Sequence, residues 1–145
     1  MKLRTRLLIA SGAMGLVASA VWMWSGHLTE QQRLLRTAER CCEHANSRNY
    51  REAARHLGPE LLAAIQREAG GIAGAIRIVA ERDHADAARY SVGRLLRWEQ
   101  EAGSAQLEII RHVTRERRRE AIAVPWQRRD NRWEIGPGIL DTWAW

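Results

Sequence analysis

Phenylalanine is missing from this 145-residue chain, lysine occurs once and cysteine twice. Lys2 stands against 22 arginines. That skew, with the missing phenylalanine, reads as GC-rich coding bias more than as selection for guanidinium chemistry, so arginine counts carry little functional weight. The two cysteines are the neighbours Cys41 and Cys42. Side chains at i and i+1 do not face each other on a helix, and a bridge between them would need a strained turn. A disulfide scaffold is excluded. What is left is one or two small buried hydrophobes, with an interchain disulfide in an oxidising compartment as the sharper alternative. Metal-binding spacing is also missing: His27, His44, His56, His84 and His112 form neither HxxxH nor HExxH, and no cysteine and histidine cluster at zinc-like intervals. Neither a Walker loop nor a GxGxxG run occurs, which sets nucleotide hydrolysis aside. No metal and no cofactor is expected.

What the chain does have is an uncharged run from Leu7 to Trp24 directly behind Lys2, Arg4 and Arg6. Its 18 apolar or small residues reach the lower edge of what crosses a hydrocarbon core of ~30 Å at ~1.5 Å per residue. Lys and Arg resist translocation, so residues 1–6 are expected in the cytoplasm and residues 7–26 as a transmembrane signal-anchor. The remainder then emerges on the outer side of the cell membrane. Trp22 and Trp24 suit the outer interface as an aromatic belt. Ala18-Ser19-Ala20 supports the rival reading, a signal peptide cleaved after Ala20, which exports the same domain. From His27 onward, about 119 residues remain, enough for one domain at 27–138 with an apolar tail at 139–145. The net charge of +6 falls by three, to +3, once Lys2, Arg4 and Arg6 are assigned to the cytoplasm. Nucleic-acid binding loses most of its support thereby.

Apolar residues recur at spacings of three and four from Thr29 to about Asn46, which predicts an amphipathic helix with Thr29 as N-cap and Gln32 completing a capping box. Tyr50, Ala53, Ala54 and Leu57 share a face in the next segment. Gly58-Pro59 ends it and opens ELLAAIQREA as a further helix, closed by Gly70-Gly71. Ile72 to Tyr90 reads as a helix, with Ile76-Arg77-Ile78 open to a strand start. Beyond Ser91 the period becomes two, and VGRLLRWE, AQLEIIRHVTR, EAIAVPWQR and RWEI read as antiparallel strands joined by short hairpins. Leu107, Ile109, Arg111 and Val113 alternate with Glu108, Ile110, His112 and Thr114. Pro125 cannot donate to a ladder, so its strand is an edge there or is bulged. The fold class is α+β: an N-terminal transmembrane helix, then several helices packed on a curved four-stranded antiparallel sheet.

Residues 38–65, AERCCEHANSRNYREAARHLGPELLAAI, together with VPWQRRDNRWEIG at 124–136, resemble the opening helices and the last hairpin of the nuclear-transport-factor-2-like (cystatin-like) superfamily. The similarity covers roughly residues 29 to 138. It implies helices packed into a strongly curved sheet to form a cone. Bacterial members with one N-terminal span and an exported domain often act as scaffolds or assembly subunits, the type IV secretion inner-membrane assembly factors among them. Ketosteroid isomerases, scytalone dehydratases and polyketide cyclases of this type place aspartate, histidine or tyrosine inside the cone. No residue here matches those by motif.

The densest polar group is DHADAARY, in which His84 and Asp86, with Tyr90 one turn on, could supply acid/base chemistry inside a pocket. The bland reading is a solvated helix end with Asp83 and Asp86 among compensating arginines. His112 could point into the cone or out to water. Residues 115–120, RERRRE, form a solvated hairpin tip, at the opposite end of the sheet from Arg128, Arg129 and Arg132. Trp98, Trp126 and Trp133 fall on strands and suit the core. Trp126 and Trp133, with Trp143 and Trp145 in the tail, are also interface candidates, since tryptophan is enriched at binding hot spots. The expected function is a membrane-anchored, extracytoplasmic, non-enzymatic domain that binds a partner protein or self-associates. The alternative is a binder of a small apolar ligand, or a cyclase- or isomerase-like enzyme, using the cone.

Overall fold

The computed structural model describes residues 28–141 and, among them, four α-helices followed by a four-stranded antiparallel sheet. The expected span at 7–24, Trp143 and Trp145 lie outside the described residues. Among the described residues no helix is long and apolar enough to cross a membrane. The chain divides into two compact units between Arg33 and Leu34, and the sheet belongs to the second.

Helix α1, Glu30–Asn46, opens with the expected capping box: the Gln32 N–H donates to Thr29 Oγ1 at 3.2 Å and the Thr29 N–H to Gln32 Oε1 at 3.0 Å. Leu34, Ala38 and Cys42, four apart, form its buried stripe. Arg48 takes a left-handed conformation at φ 60°, and the Asn49 N–H returns to the His44 carbonyl at 2.8 Å, so the chain reverses. Helix α2, Tyr50–Ala53, runs into a 3-10 turn at Ala54–His56. Helix α3, Pro59–Ala69, begins on a proline whose missing N–H is no loss in a first turn. It ends at Gly70 in the left-handed region. Gly71 follows at φ 127°, where a Cβ is strained. Helix α4, Ile72–Asp86, absorbs Ile76-Arg77-Ile78 without a strand.

Strands β1 (Ala88–Glu99), β2 (Ser104–Val113), β3 (Arg118–Arg129) and β4 (Arg132–Ile135) form a meander in chain order. The β2–β3 ladder is continuous from Ser104↔Gln127 to Val113↔Arg118. The β1–β2 ladder slips between Val92 and Leu95 and again between Leu95 and Arg97, and such bulges bend and twist a strand. Gly93 sits in the slip, where a Cβ would meet Glu108 Oε1 at 2.6 Å. Pro125 is accommodated as anticipated. Its carbonyl faces the β4 side and accepts the Gly136 N–H at 2.9 Å, past the last residue of β4, so no strand bond is lost to the missing donor.

Alternation on β2 sends Ala105, Leu107, Ile109, Arg111 and Val113 inward. Ile122, Val124 and Trp126 of β3 and Trp133 and Ile135 of β4 continue that face, and helix residues Ala38, Cys42, Leu61, Ile65 and Ala75 pack against it. Leu57 and Ile135 form a parallel bridge that ties the helical layer to β4. A 3-10 turn at Pro137–Asp141 carries Ile139 back into this core at 5 % exposure.

Candidate functional site

The helices do not fill the space over the sheet. Alanine and cysteine supply much of the wall: Ala38, Cys41, Cys42 and Ala45 from α1, Ala53 and Ala54 from the next segment, and Ala75 from α4. The floor is Ile109, Ile122, Val124 and Trp126, with Ile135 and Ile139 at one end. Between them lies an open apolar cavity of about 160 Å³. Native cores pack at the density of organic crystals and rarely keep a void this large. A dry cavity of ~150 Å³ lined by aliphatic side chains takes up a benzene-sized guest.

Tyr50 and Tyr90 line this cavity and turn their hydroxyls away from it, onto one buried carboxylate. The Tyr50 hydroxyl donates to Asp83 Oδ2 at 2.9 Å and the Tyr90 hydroxyl to Asp83 Oδ1 at 2.8 Å. Arg111, reaching over from β2, donates to the same Oδ1 through Nε at 3.3 Å and Nη2 at 3.1 Å. Both Asp83 and Arg111 are 0 % exposed. Arg111 also grips Asp86 at 2.7 Å and Glu120 at 3.2 Å. Glu120 is shared with Arg118 and lies 3.7 Å from Arg82. Arg48 closes the group, donating to the Tyr50 hydroxyl and the Ala88 carbonyl, both at 3.0 Å. Ion pairs of this kind persist in an interior only when their hydrogen-bonding capacity is met, and here it is met.

The hydrogen bond from Arg111 holds the Asp86 carboxyl below its ordinary range. Burial, reinforced by the neighbouring Asp83 carboxylate, pushes the Tyr90 phenol well above its ordinary range. Burial raises Tyr50 too, against the opposing hydrogen bond from Arg48. A phenol with a raised folded pKa contributes stability that is complete below the unfolded value of ~10 and is lost as pH rises through the folded value. These are the chain's two tyrosines, so phenolate absorbance reports on this cluster alone. In an alkaline titration, neither tyrosine should ionise near pH ~10, and both should ionise together with loss of the folded circular dichroism signal. Ordinary titration ahead of unfolding would show that the hydroxyls are free.

Of the sequence candidates, Asp86 and Tyr90 converge on Arg111 and Asp83; His84 and His112 do not. His84 is exposed on the outer side of α4. His112 lies on the opposite face of β2 from Arg111, with Nε2 2.8 Å from Ser91 Oγ. The helix end read as solvated is the reverse at Asp83, which is buried at the centre of the network. Arg111, Asp83 and Tyr50 went unselected, although an arginine in the inward register between Ile109 and Val113 demands a buried carboxylate partner. Trp126 and Trp133, read both as core residues and as interface candidates, are buried in the core at 1 % and 4 % exposure. Trp133 packs on Trp98 with ring centroids 5.4 Å apart. The indole N–H groups of Trp126 and Trp133 have no hydrogen-bond partner among the described residues.

Chemically, the arrangement can hold an apolar group and offers little to react with it. Asp83 is 0 % exposed and both its oxygens accept from protein donors, Tyr90 and Arg111 on Oδ1 and Tyr50 on Oδ2, so its carboxylate is engaged within the network. Both cysteines are free thiols; burial pushes Cys41 up to about 11 and Cys42 up to about 12, which suppresses the nucleophilic thiolate. Among the described residues, no group of three or more His, Cys, Asp or Glu is placed to hold a metal ion. No family model matches this chain, and no curated protein matches its sequence.

Proposed function

We propose that this chain is a non-enzymatic binding domain of the nuclear-transport-factor-2-like type, carried outside the cytoplasm on the anchor at residues 7–26, whose cavity receives a compact apolar group. One observation carries the reading: an open apolar cavity of about 160 Å³, walled by small side chains, in a domain whose buried aspartate and arginine are tied up in ion pairs and hydrogen bonds. A domain that served only as a rigid spacer would gain stability by filling that space. The anchor rests on the charge and hydropathy of residues 1–26, and the superfamily on the order of helices and meander together with the residues that resemble it.

Cys41 and Cys42 line the cavity and are the chain's two cysteines, so they report its occupancy. In the full-length chain held in nanodiscs, labelling of these thiols by methyl methanethiosulfonate is slow because burial suppresses the thiolate, and benzene or cyclohexanol is expected to slow it further in a saturable manner, read by mass spectrometry over an extended time course. Ala75→Leu, and independently Ala45→Leu, should abolish that protection while leaving thermal stability equal or higher, because the added methyl groups occupy the guest's place. Labelling indifferent to both guests would overturn the reading.

A further inference from the structure

The cavity has a charged neighbour. A shallower cleft of about 230 Å³ adjoins it, sharing Ala54, Ile72 and Ile76, and its remaining walls are Arg51, Arg55 and Ala73. Arg51, on α2, and Arg55, on the 3-10 turn that follows it, both line this cleft. Arg55 pairs with Glu52 at 3.1 Å, yet its side chain is 72 % exposed. Arg51 has no carboxylate within ion-pair distance among the described residues, and no carboxylate lines the cleft. The apolar cavity therefore shares a wall with a cleft whose two guanidinium groups carry at most one counter-charge between them.

We infer that the occupant is a free anionic amphiphile of medium chain length, its tail in the cavity and its carboxylate or phosphate head between Arg51 and Arg55. The volume selects the tail. A cavity of about 160 Å³ accepts a guest of about six carbons, far short of the two long chains of a membrane phospholipid. Guanidinium selects the head, because its planar fork donates two parallel hydrogen bonds to a carboxylate or phosphate. The inference rests on the binding reading above and adds the sign of the ligand's charge.

The probes are octanoate, octyl phosphate, 1-octanol and octylammonium, offered to the full-length chain in nanodiscs, with protection of Cys41 and Cys42 as the readout and empty nanodiscs as the partition reference. Octanoate and octyl phosphate should protect at concentrations about tenfold below octylammonium, with octanol between, since each exposed ion pair is worth roughly a fewfold in affinity. The advantage should shrink in molar salt. Arg51→Gln with Arg55→Gln should raise the octanoate requirement about tenfold and leave that for octanol unchanged, which separates lost charge from lost fold. Equal protection by all four probes, or an octylammonium preference, overturns the inference and leaves the binding reading standing. Failure of every probe to protect overturns both. Palmitate protecting better than octanoate would show that the tail extends beyond the cavity and would overturn the assigned chain length.

Discussion

Arg111→Met is expected to lower the free energy of unfolding by about 3–5 kcal/mol, the usual consequence of removing one partner from a buried ion pair. Methionine fills much of the volume, so the loss is electrostatic. Asp83, at 0 % exposure, would keep two tyrosine hydroxyls and an Arg48 Nη1 at 3.7 Å but lose the guanidinium that offsets its desolvation. Asp86 and Glu120, at 27 % and 23 % side-chain exposure, can hydrate; Asp83 cannot. Adding Asp83→Asn to Arg111→Met should therefore recover part of the loss, because the buried charge disappears while an oxygen remains to accept from a tyrosine. Urea unfolding of the wild type, both single variants and the double variant closes the cycle. A loss below about 1 kcal/mol for Arg111→Met, or no recovery in the double variant, would mean that the network does not hold the sheet to α4.

Trp126→Ala should be comparably severe, at about 3–5 kcal/mol. Trp126 is 1 % exposed, pairs with Ala105 on one side and Ile135 on the other, and forms part of the cavity floor. Its removal joins a new void to an existing one, where the walls have little capacity to collapse. Free indole should then bind the enlarged cavity and raise the melting temperature in proportion to the logarithm of its concentration. Indole that stabilises wild type and variant equally would show that the tryptophan site does not connect with the cavity. The tail enters here as well: because Ile139 is buried in this core and lines the cavity, truncation at residue 138 removes part of the binding wall as well as the tryptophans beyond it.

The helices were legible because their signals are local. The Thr29 and Gln32 capping box, the Gly58-Pro59 boundary and the Gly70-Gly71 stop each depend on backbone groups within a few residues. Strand alternation on β2 was legible for the same reason, and it placed Arg111 inward among Leu107, Ile109 and Val113. What that arginine meets was not legible. Asp83 lies 28 positions earlier on a helix, and Tyr50 lies 33 positions before Asp83; no periodicity links residues so far apart. Nor does composition distinguish Asp83 from Asp86, although one is sealed at the centre and the other sits at the rim.

Chain order, local caps and the change of period from three-and-a-half to two thus determined an α+β domain with helices first and a meander last, because each of those signals is carried by neighbouring residues. The tertiary structure decided two further things. It gathered Tyr50, Tyr90, Arg48 and Arg111 with Asp83, Asp86 and Glu120 into one cluster of hydrogen bonds and ion pairs, with Arg118 and Arg82 beside Glu120. It also left a cavity where the alanines of the helices face the isoleucines and Trp126 of the sheet. Both depend on how far apart two layers stand, and that distance is set by side chains from every element at once.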